Sequence, residues 1–221
     1  VCCIGYGSMG RMLVNGFLST GRITDSEVIV SNRTKSKLAP LKSSWSTITI
    51  AENNLEVAKK AKHVFLCVKP LEMKEVLAEI KDSLRPETHI ISITGTVAID
   101  DIERLVKGKV TKIIPSLTSE AKDGISLVCH NAMVAASDAS FIESLLGGIS
   151  KVKIIKEADM DMAIDLTSCA PGFIAAIFKE LVNSAVRIGN INEADAEEMV
   201  MRTLYGTAKL FCEKNMTFDD T

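Results

Sequence analysis

The chain lacks a decisive net charge. Its 26 Lys and Arg offset 28 Asp and Glu to leave −2 at pH 7, which argues against nucleic acid or an acidic membrane as a partner. No apolar run reaches the length of a membrane span, and no stretch reads as a signal peptide. A cytoplasmic protein is therefore expected. The 6 Cys include no C-x-x-C pair. Cys2, Cys3, Cys67 and Cys169 sit in apolar or helical stretches, which predicts reduced thiols packed as small hydrophobes. His63, His89 and His130 stand singly near strand ends with no partner at metal-ligand spacing, so no metal is expected. No internal repeat or low-complexity segment occurs. What is present is apolar material: 47% of 221 residues, enough for one large domain or two small ones with a sizeable core.

The first ten residues carry most of the functional information. Val1 to Ile4 is a short apolar run, followed by Gly5-Tyr6-Gly7-Ser8-Met9-Gly10 with G-x-G-x-x-G spacing. A helical pattern then begins, with Met9, Leu13, Phe17 and Leu18 on one face. Strand, glycine turn and helix in that order are the context of a dinucleotide-binding site. Gly5 permits the tight turn, Gly7 lets backbone approach a pyrophosphate, and Gly10 lets helix and strand pack closely. Amides near Ser8, Met9 and Gly10, with the helix dipole, would hold the diphosphate. The plainer alternative is a glycine turn in an ordinary α/β fold.

A second absence refines this reading. NAD sites place Asp or Glu about 20 residues past the glycine motif, on the ribose 2′-hydroxyl. Here the strand Glu27 to Val30 ends in Ser31-Asn32-Arg33-Thr34, with no acid. Arg33 offers permanently charged planar donors to a 2′-phosphate, and Ser31 and Thr34 add neutral ones. NADP is therefore the expected cofactor. Thr34 is also expected to cap the next helix, and Arg33 read alone is equally a solvated surface charge.

The chain then alternates. Helices are expected at Leu55 to Ala61, Met73 to Leu84, Ile99 to Val106 and Asp138 to Leu146. Strands are expected at Ile48 to Ala51, Val64 to Val68, His89 to Ile93, Val110 to Ile114, Ile125 to Cys129 and Val152 to Ile155. Continuous apolar strands separated by helices predict a parallel, doubly wound α/β sheet covered on both faces. Ligands bind beyond the carboxyl ends of such strands. That rule selects Val68-Lys69-Pro70, Thr94-Gly95-Thr96 and Pro115-Ser116, although Pro and Gly also punctuate ordinary strand exits.

The pattern changes near Lys156. Two long helices are expected, from about Ala158 to Ile188 and from Glu193 to Cys212. Pro171-Gly172 should kink the first, and Asn192 should cap the second. Phe173, Ile177, Leu181 and Ala185 form an apolar stripe. Two helices cannot bury such faces alone, so Leu166, Phe173, Ile177, Leu181, Met199, Leu204 and Phe211 are expected at a homodimer interface. The division predicted is 1–156 for an NADP-binding domain and 157–221 for a helical dimerisation and substrate domain.

In this order the motifs resemble the pyrroline-5-carboxylate reductase family. The resemblance rests on Ile4 to Gly10, Val68-Lys69-Pro70, Ile114-Pro115, Thr167 to Phe173, and Leu204 to Leu210, and it covers essentially the whole chain. It implies an NADP-binding Rossmann-type domain, a helical dimer, and hydride transfer to a cyclic imine to give proline. It further implies cofactor contact by Asn54, and a substrate site at Pro115, Ser116 and Cys169. The chain departs from the family at Ser116-Leu117-Thr118, Cys169-Ala170 and Thr94-Gly95-Thr96, and looks closest to divergent members such as the reductase-like proteins of bacterial late-competence operons.

No catalytic side chain is assigned by the sequence. An imine or keto substrate is expected. Two other readings stand beside this one. A 3-hydroxyacid dehydrogenase would use Lys179 with Asn183, which otherwise form a solvated helix face. A non-catalytic NADP-binding dimer would act as a regulator. The family's carboxylate-holding Ser-Pro-Gly-Gly-Thr segment is not reached by Thr221, so this chain is expected to bind NADPH yet reduce pyrroline-5-carboxylate poorly or not at all.

Overall fold

A computed structural model describes residues 1–221. Eight strands form one sheet: β1 (Cys2–Ile4), β2 (Ile29–Ser31), β3 (Thr49–Ile50), β4 (His63–Leu66), β5 (His89–Ser92), β6 (Lys109–Pro115), β7 (Gly124–His130) and β8 (Ser150–Ile154), in the order β3-β2-β1-β4-β5-β6-β7-β8. The helices are α1 (Ser8–Ser19), α2 (Ala39–Ser44), α3 (Asn54–Lys60), α4 (Pro70–Ile80), α5 (Ile99–Glu103), α6 (Ala136–Leu146), α7 (Met160–Ile164), α8 (Ala170–Ile188) and α9 (Glu193–Lys214).

The central strands are mostly apolar because both faces are covered. Cys3, Phe65, Ile91, Ile113 and Val128 point to one side, onto Leu13 and Phe17 of α1 and Ile142 and Leu145 of α6. The Phe17 and Phe65 rings lie 5.5 Å apart. Cys2, Ile4, Val64, Leu66, Ile90 and Val110 point the other way, onto Val57, Leu77, Ile102 and Met160. Each fully buried large side chain contributes about 1.5–3 kcal/mol.

Two strands depart from the expected parallel sheet: β7 runs antiparallel to β6, pairing Ile113 with Val128, and β8 runs parallel to β7 and so opposite to the rest. The segment between β6 and β7 holds only a short turn, Leu117–Ala121, and a parallel return needs a crossover of a dozen or more residues. The chain does reverse direction at the sheet centre. It leaves β1 toward β2 and β3, then returns to place β4 on the opposite side of β1.

The three histidines, apart in sequence, meet at one edge of the sheet: His63 and His89 open β4 and β5, and His130 closes the antiparallel β7. Parallel register sets His63 beside His89, and antiparallel register sets His130 beside Thr111. His89 Nε2 and His130 Nδ1 each lie 2.7 Å from Thr111 Oγ1. His63 stacks on Phe141 at 4.5 Å between centroids. Asp138 of α6 bonds Lys109 at 2.6 Å and Lys62 at 3.2 Å, and lies 3.5 Å from His63 Nε2.

The chain divides into two compact units, Val1–Ser168 and Cys169–Thr221. The first includes α7, whose Met160 is buried in the sheet core. The helix expected from Ala158 is not regular: a π turn, Asp165–Cys169, follows α7 and precedes the helix that carries Pro171. Proline has no amide proton for the carbonyl four residues back. That carbonyl, Thr167 O, instead accepts the buried Ser116 hydroxyl at 2.8 Å. In the second unit α8 and α9 pack together and bury Val182 and Ala196. Asn192 Oδ1 caps α9 by accepting the Asp195 amide at 2.9 Å.

Phe173, Ile177, Leu181 and Met199 are exposed, whereas Phe211 stacks edge-on with Phe218 at 5.0 Å. By length and composition alone, the helical stretch Glu157–Ile188 is apolar enough to cross a membrane. This corrects the expectation of no such run.

Candidate functional site

A cleft of about 470 Å³ opens at the carboxyl ends of β1, β2 and β4, where the strand order reverses. Such a switch point is where open α/β sheets bind ligands. Its floor is the glycine turn. Gly5 adopts φ +96°, a left-handed conformation that suits glycine, and a Cβ there would meet the Cys67 carbonyl at 2.5 Å. A Cβ on Gly10 would collide with the Gly5 carbonyl oxygen. A Cβ on Gly7 would meet nothing within 4 Å. Gly7 is the N-cap of α1, and the first helical bond runs from the Arg11 amide to Gly7 O at 2.9 Å. The amides of Ser8, Met9 and Gly10 therefore have no partner within the helix. Open space above Gly7 and a helix start behind it fit a diphosphate.

Gly5, Gly7, Ser31, Asn32, Arg33 and Thr34 line this cleft, and Asn54, Val68 and Lys69 complete its far side. Tyr6, Ser8, Met9, Gly10 and Pro70 lie at its margin rather than in its wall. Tyr6 is buried, and its amide donates to Asn32 Oδ1 at 2.9 Å, which ties the glycine turn to the end of β2. Arg33 is exposed, and its Nη1 lies 3.2 Å from Glu72 Oε1. Ser31 Oγ donates to Asn54 Oδ1 at 2.6 Å. Asn54 Nδ2 donates to Glu79 Oε2 at 2.8 Å.

Thr34 does not cap the following turn. Its side chain makes no cap bond, while its carbonyl accepts Asn32 Nδ2 at 2.8 Å. The turn is a short 3-10 segment, Lys35–Leu38, which offers few amides to cap.

Thr94 and Gly95 follow β5 and lie outside the cleft wall. Lys112 of β6, buried, donates to Gly95 O at 3.2 Å and pairs with Glu157 at 2.6 Å. Glu157 Oε1 also accepts the Ile99 amide at 2.8 Å. Pro115 ends β6, and Ser116 follows it, buried. The Ser116 hydroxyl is already engaged by Thr167 O at 2.8 Å and by Thr118 Oγ1 at 3.0 Å. Cys169 begins the second unit as the residue before α8.

Sequence reasoning missed Lys112, Glu157 and the carboxylates of α4. A lysine inside the apolar run Val110 to Ile114 was the available signal for the first of these. No comparable signal marked the others.

No activated thiol faces the cleft from β1. Its hydrogen bond to Cys67, and then burial, push the Cys3 thiol well above the ordinary cysteine range. Burial pushes Cys2 up to about 11. Both stay protonated and unreactive at neutral pH. On α8, Lys179 and Asn183 are exposed, and Asn183 Nδ2 donates to Glu180 at 3.4 Å rather than to Lys179.

Comparison with known proteins decides the family. Residues 1–96 match the model described as NADP oxidoreductase coenzyme F420-dependent, and residues 157–220 match pyrroline-5-carboxylate reductase dimerisation. Pyrroline-5-carboxylate reductase 3 of Bacillus subtilis is 38% identical over 219 residues, covering 99% of this chain and 80% of that protein. The chain belongs to the pyrroline-5-carboxylate reductase family. It is an NADP-dependent oxidoreductase of that type. ComE operon protein 4 of B. subtilis is 30% identical over 207 residues, covering 94% of this chain and 76% of that protein. The solved Plasmodium falciparum pyrroline carboxylate reductase, which has NADP bound, shares the fold. Its TM-score is 0.85 at 23% identity, over 96% of this chain and 78% of that one. The dimerisation match supports self-association of residues 157–220.

Proposed function

We propose that this protein reduces a cyclic imine, pyrroline-5-carboxylate or a close relative, by hydride transfer from NADPH to give proline or its analogue. One observation carries the reading: the glycine turn opens onto a cleft at the sheet's switch point, with Ser31, Arg33 and Asn54 gathered on its far wall. The 38% identical relative supports the choice of substrate class.

In this reading, the amides of Ser8, Met9 and Gly10 hold the diphosphate, and Gly5, Tyr6 and Gly7 shape the turn beneath it. Ser31, Asn32, Arg33, Thr34 and Asn54 take the ribose 2′-phosphate. Val68, Lys69 and Pro70 flank the chain of the cofactor. Thr94 and Gly95 lead toward the reacting end, with Pro115, Ser116 and Cys169 on the substrate side. NADPH held there would supply a hydride for the imine carbon, with a proton needed at the nitrogen. Protein side chains bind, orient and exclude water, and positioning supplies most of the rate.

Ser116 contributes as a brace, because its hydroxyl is spent on Thr167. Residues 1–156 form the cofactor domain and 157–221 the pairing domain. A cytoplasmic location belongs to the same reading.

The test is NADPH absorbance: its loss with a panel of cyclic imines or keto acids, and its formation from NADP+ with 3-hydroxyacids. Oxidation with cyclic imines is the expected outcome. Turnover of a 3-hydroxyacid alone would overturn the reading, and tight NADPH binding without any turnover would favour a regulatory dimer.

A further inference from the structure

The acid missing from the end of β2 is supplied from elsewhere. α4 places Glu72, Glu75 and Glu79 at spacings of three and four, so one helical face turns its carboxylates into the cleft wall. Two of them already hold the groups assigned to the 2′-phosphate. Glu72 Oε1 lies 3.2 Å from Arg33 Nη1, and Glu79 Oε2 accepts Asn54 Nδ2 at 2.8 Å.

A 2′-phosphate must therefore draw Arg33 away from Glu72 and then sit beside that carboxylate. The first step is easy, since the Arg33 side chain is 88% exposed and exposed pairs are weak. The second is adverse, because like charges across a small gap repel. A 2′-hydroxyl meets the opposite situation. It can donate to a carboxylate at that point, as it does to the strand-end acid of NAD-specific sites.

We propose that Glu72 is a specificity-determining residue. It opposes the 2′-phosphate, accepts the 2′-hydroxyl, and so narrows the preference for NADPH over NADH that Arg33 creates. The inference rests on the assignment of Arg33 to the 2′-phosphate.

Equilibrium titration of NADPH and NADH at one fixed ionic strength tests it, on the unaltered protein, Glu72→Gln, Arg33→Ala and the double variant. Gln keeps the helix start intact: the second oxygen of Glu72 takes the Lys69 amide at 3.4 Å, and Gln is accepted at that capping position. Glu72→Ala serves as a second variant should Gln perturb folding.

Glu72→Gln is expected to tighten NADPH by about threefold or more and to leave NADH unchanged or weaker. The gain should shrink when Arg33 is already absent. Unchanged or weaker NADPH binding in Glu72→Gln, or an equal shift for both cofactors, overturns the proposal while leaving the Arg33 assignment standing. Unchanged NADPH affinity in Arg33→Ala overturns both.

Discussion

At the scale of single residues, two glycines of one motif have opposite roles. The side-chain position of Gly10 is filled by the Gly5 carbonyl and, at 3.1 Å, by Cys67 Cβ, whereas that of Gly7 is open. Gly10→Ala is therefore expected to destabilise the fold by about 1–3 kcal/mol, because helix and strand must separate. Gly7→Ala should cost no more than about 0.5 kcal/mol yet weaken NADPH binding, since its methyl would occupy the space a diphosphate needs. Urea denaturation and NADPH titration separate the two. Equal destabilisation by both variants would contradict the assignment.

The spacing of the glycines was legible because each role follows from local backbone geometry. The uncapped Thr34 was not legible, because Asn32 and Thr34 form their own turn first. Glu72 was invisible in the same way. It stands 39 positions from Arg33, and only the strand order brings α4 to that wall.

At the scale of elements, the alternation of apolar strands and helices read correctly because both sheet faces are covered. The antiparallel β7 did not, since a run of apolar residues carries no direction. The histidine cluster also depended on register. Burial and the Lys62 charge hold His63 down at about 4, against an ordinary 6.5. Burial and His63 hold His89 at about 3. The Lys109 hydrogen bond holds Asp138 at about 2, so it remains ionised throughout.

Folded, both histidines are neutral near pH 5; unfolded, each binds a proton below about 6.5. Stability is thus whole above that value and falls as pH drops toward 4, by on the order of 3 kcal/mol for His63. Lys62, Lys109, His130 and Glu143 face the same cluster. Urea midpoints at pH 7 and about pH 4.5 should differ accordingly, and His63→Leu should flatten part of that slope. A midpoint independent of pH would contradict it. The cluster lies at the amino ends of β4 and β5, opposite the cofactor cleft, so NADPH binding at neutral pH should not track it.

At the scale of the whole molecule, the exposed stripe Phe173, Ile177 and Leu181 on α8 and Met199 on α9 accounts for the apolar stretch that would otherwise suit a membrane. Within the dimerisation match, a second copy of the chain is the expected cover. Such an interface should bury more than about 2,000 Å² in total. Sedimentation should give a dimer at micromolar concentration, and Leu181→Glu should give monomer or aggregate. A stable monomer of the unaltered chain would contradict this. Phe211, also expected at the interface, packs edge-on against Phe218 within the chain.

The central claim is hydride transfer from NADPH to an imine carbon. Its most direct test uses NADPH deuterated at the transferring position of the nicotinamide, mixed with pyrroline-5-carboxylate and the purified protein. Mass spectrometry of the product is expected to show proline carrying one deuterium at the former imine carbon. Proline formed without the label would contradict the account.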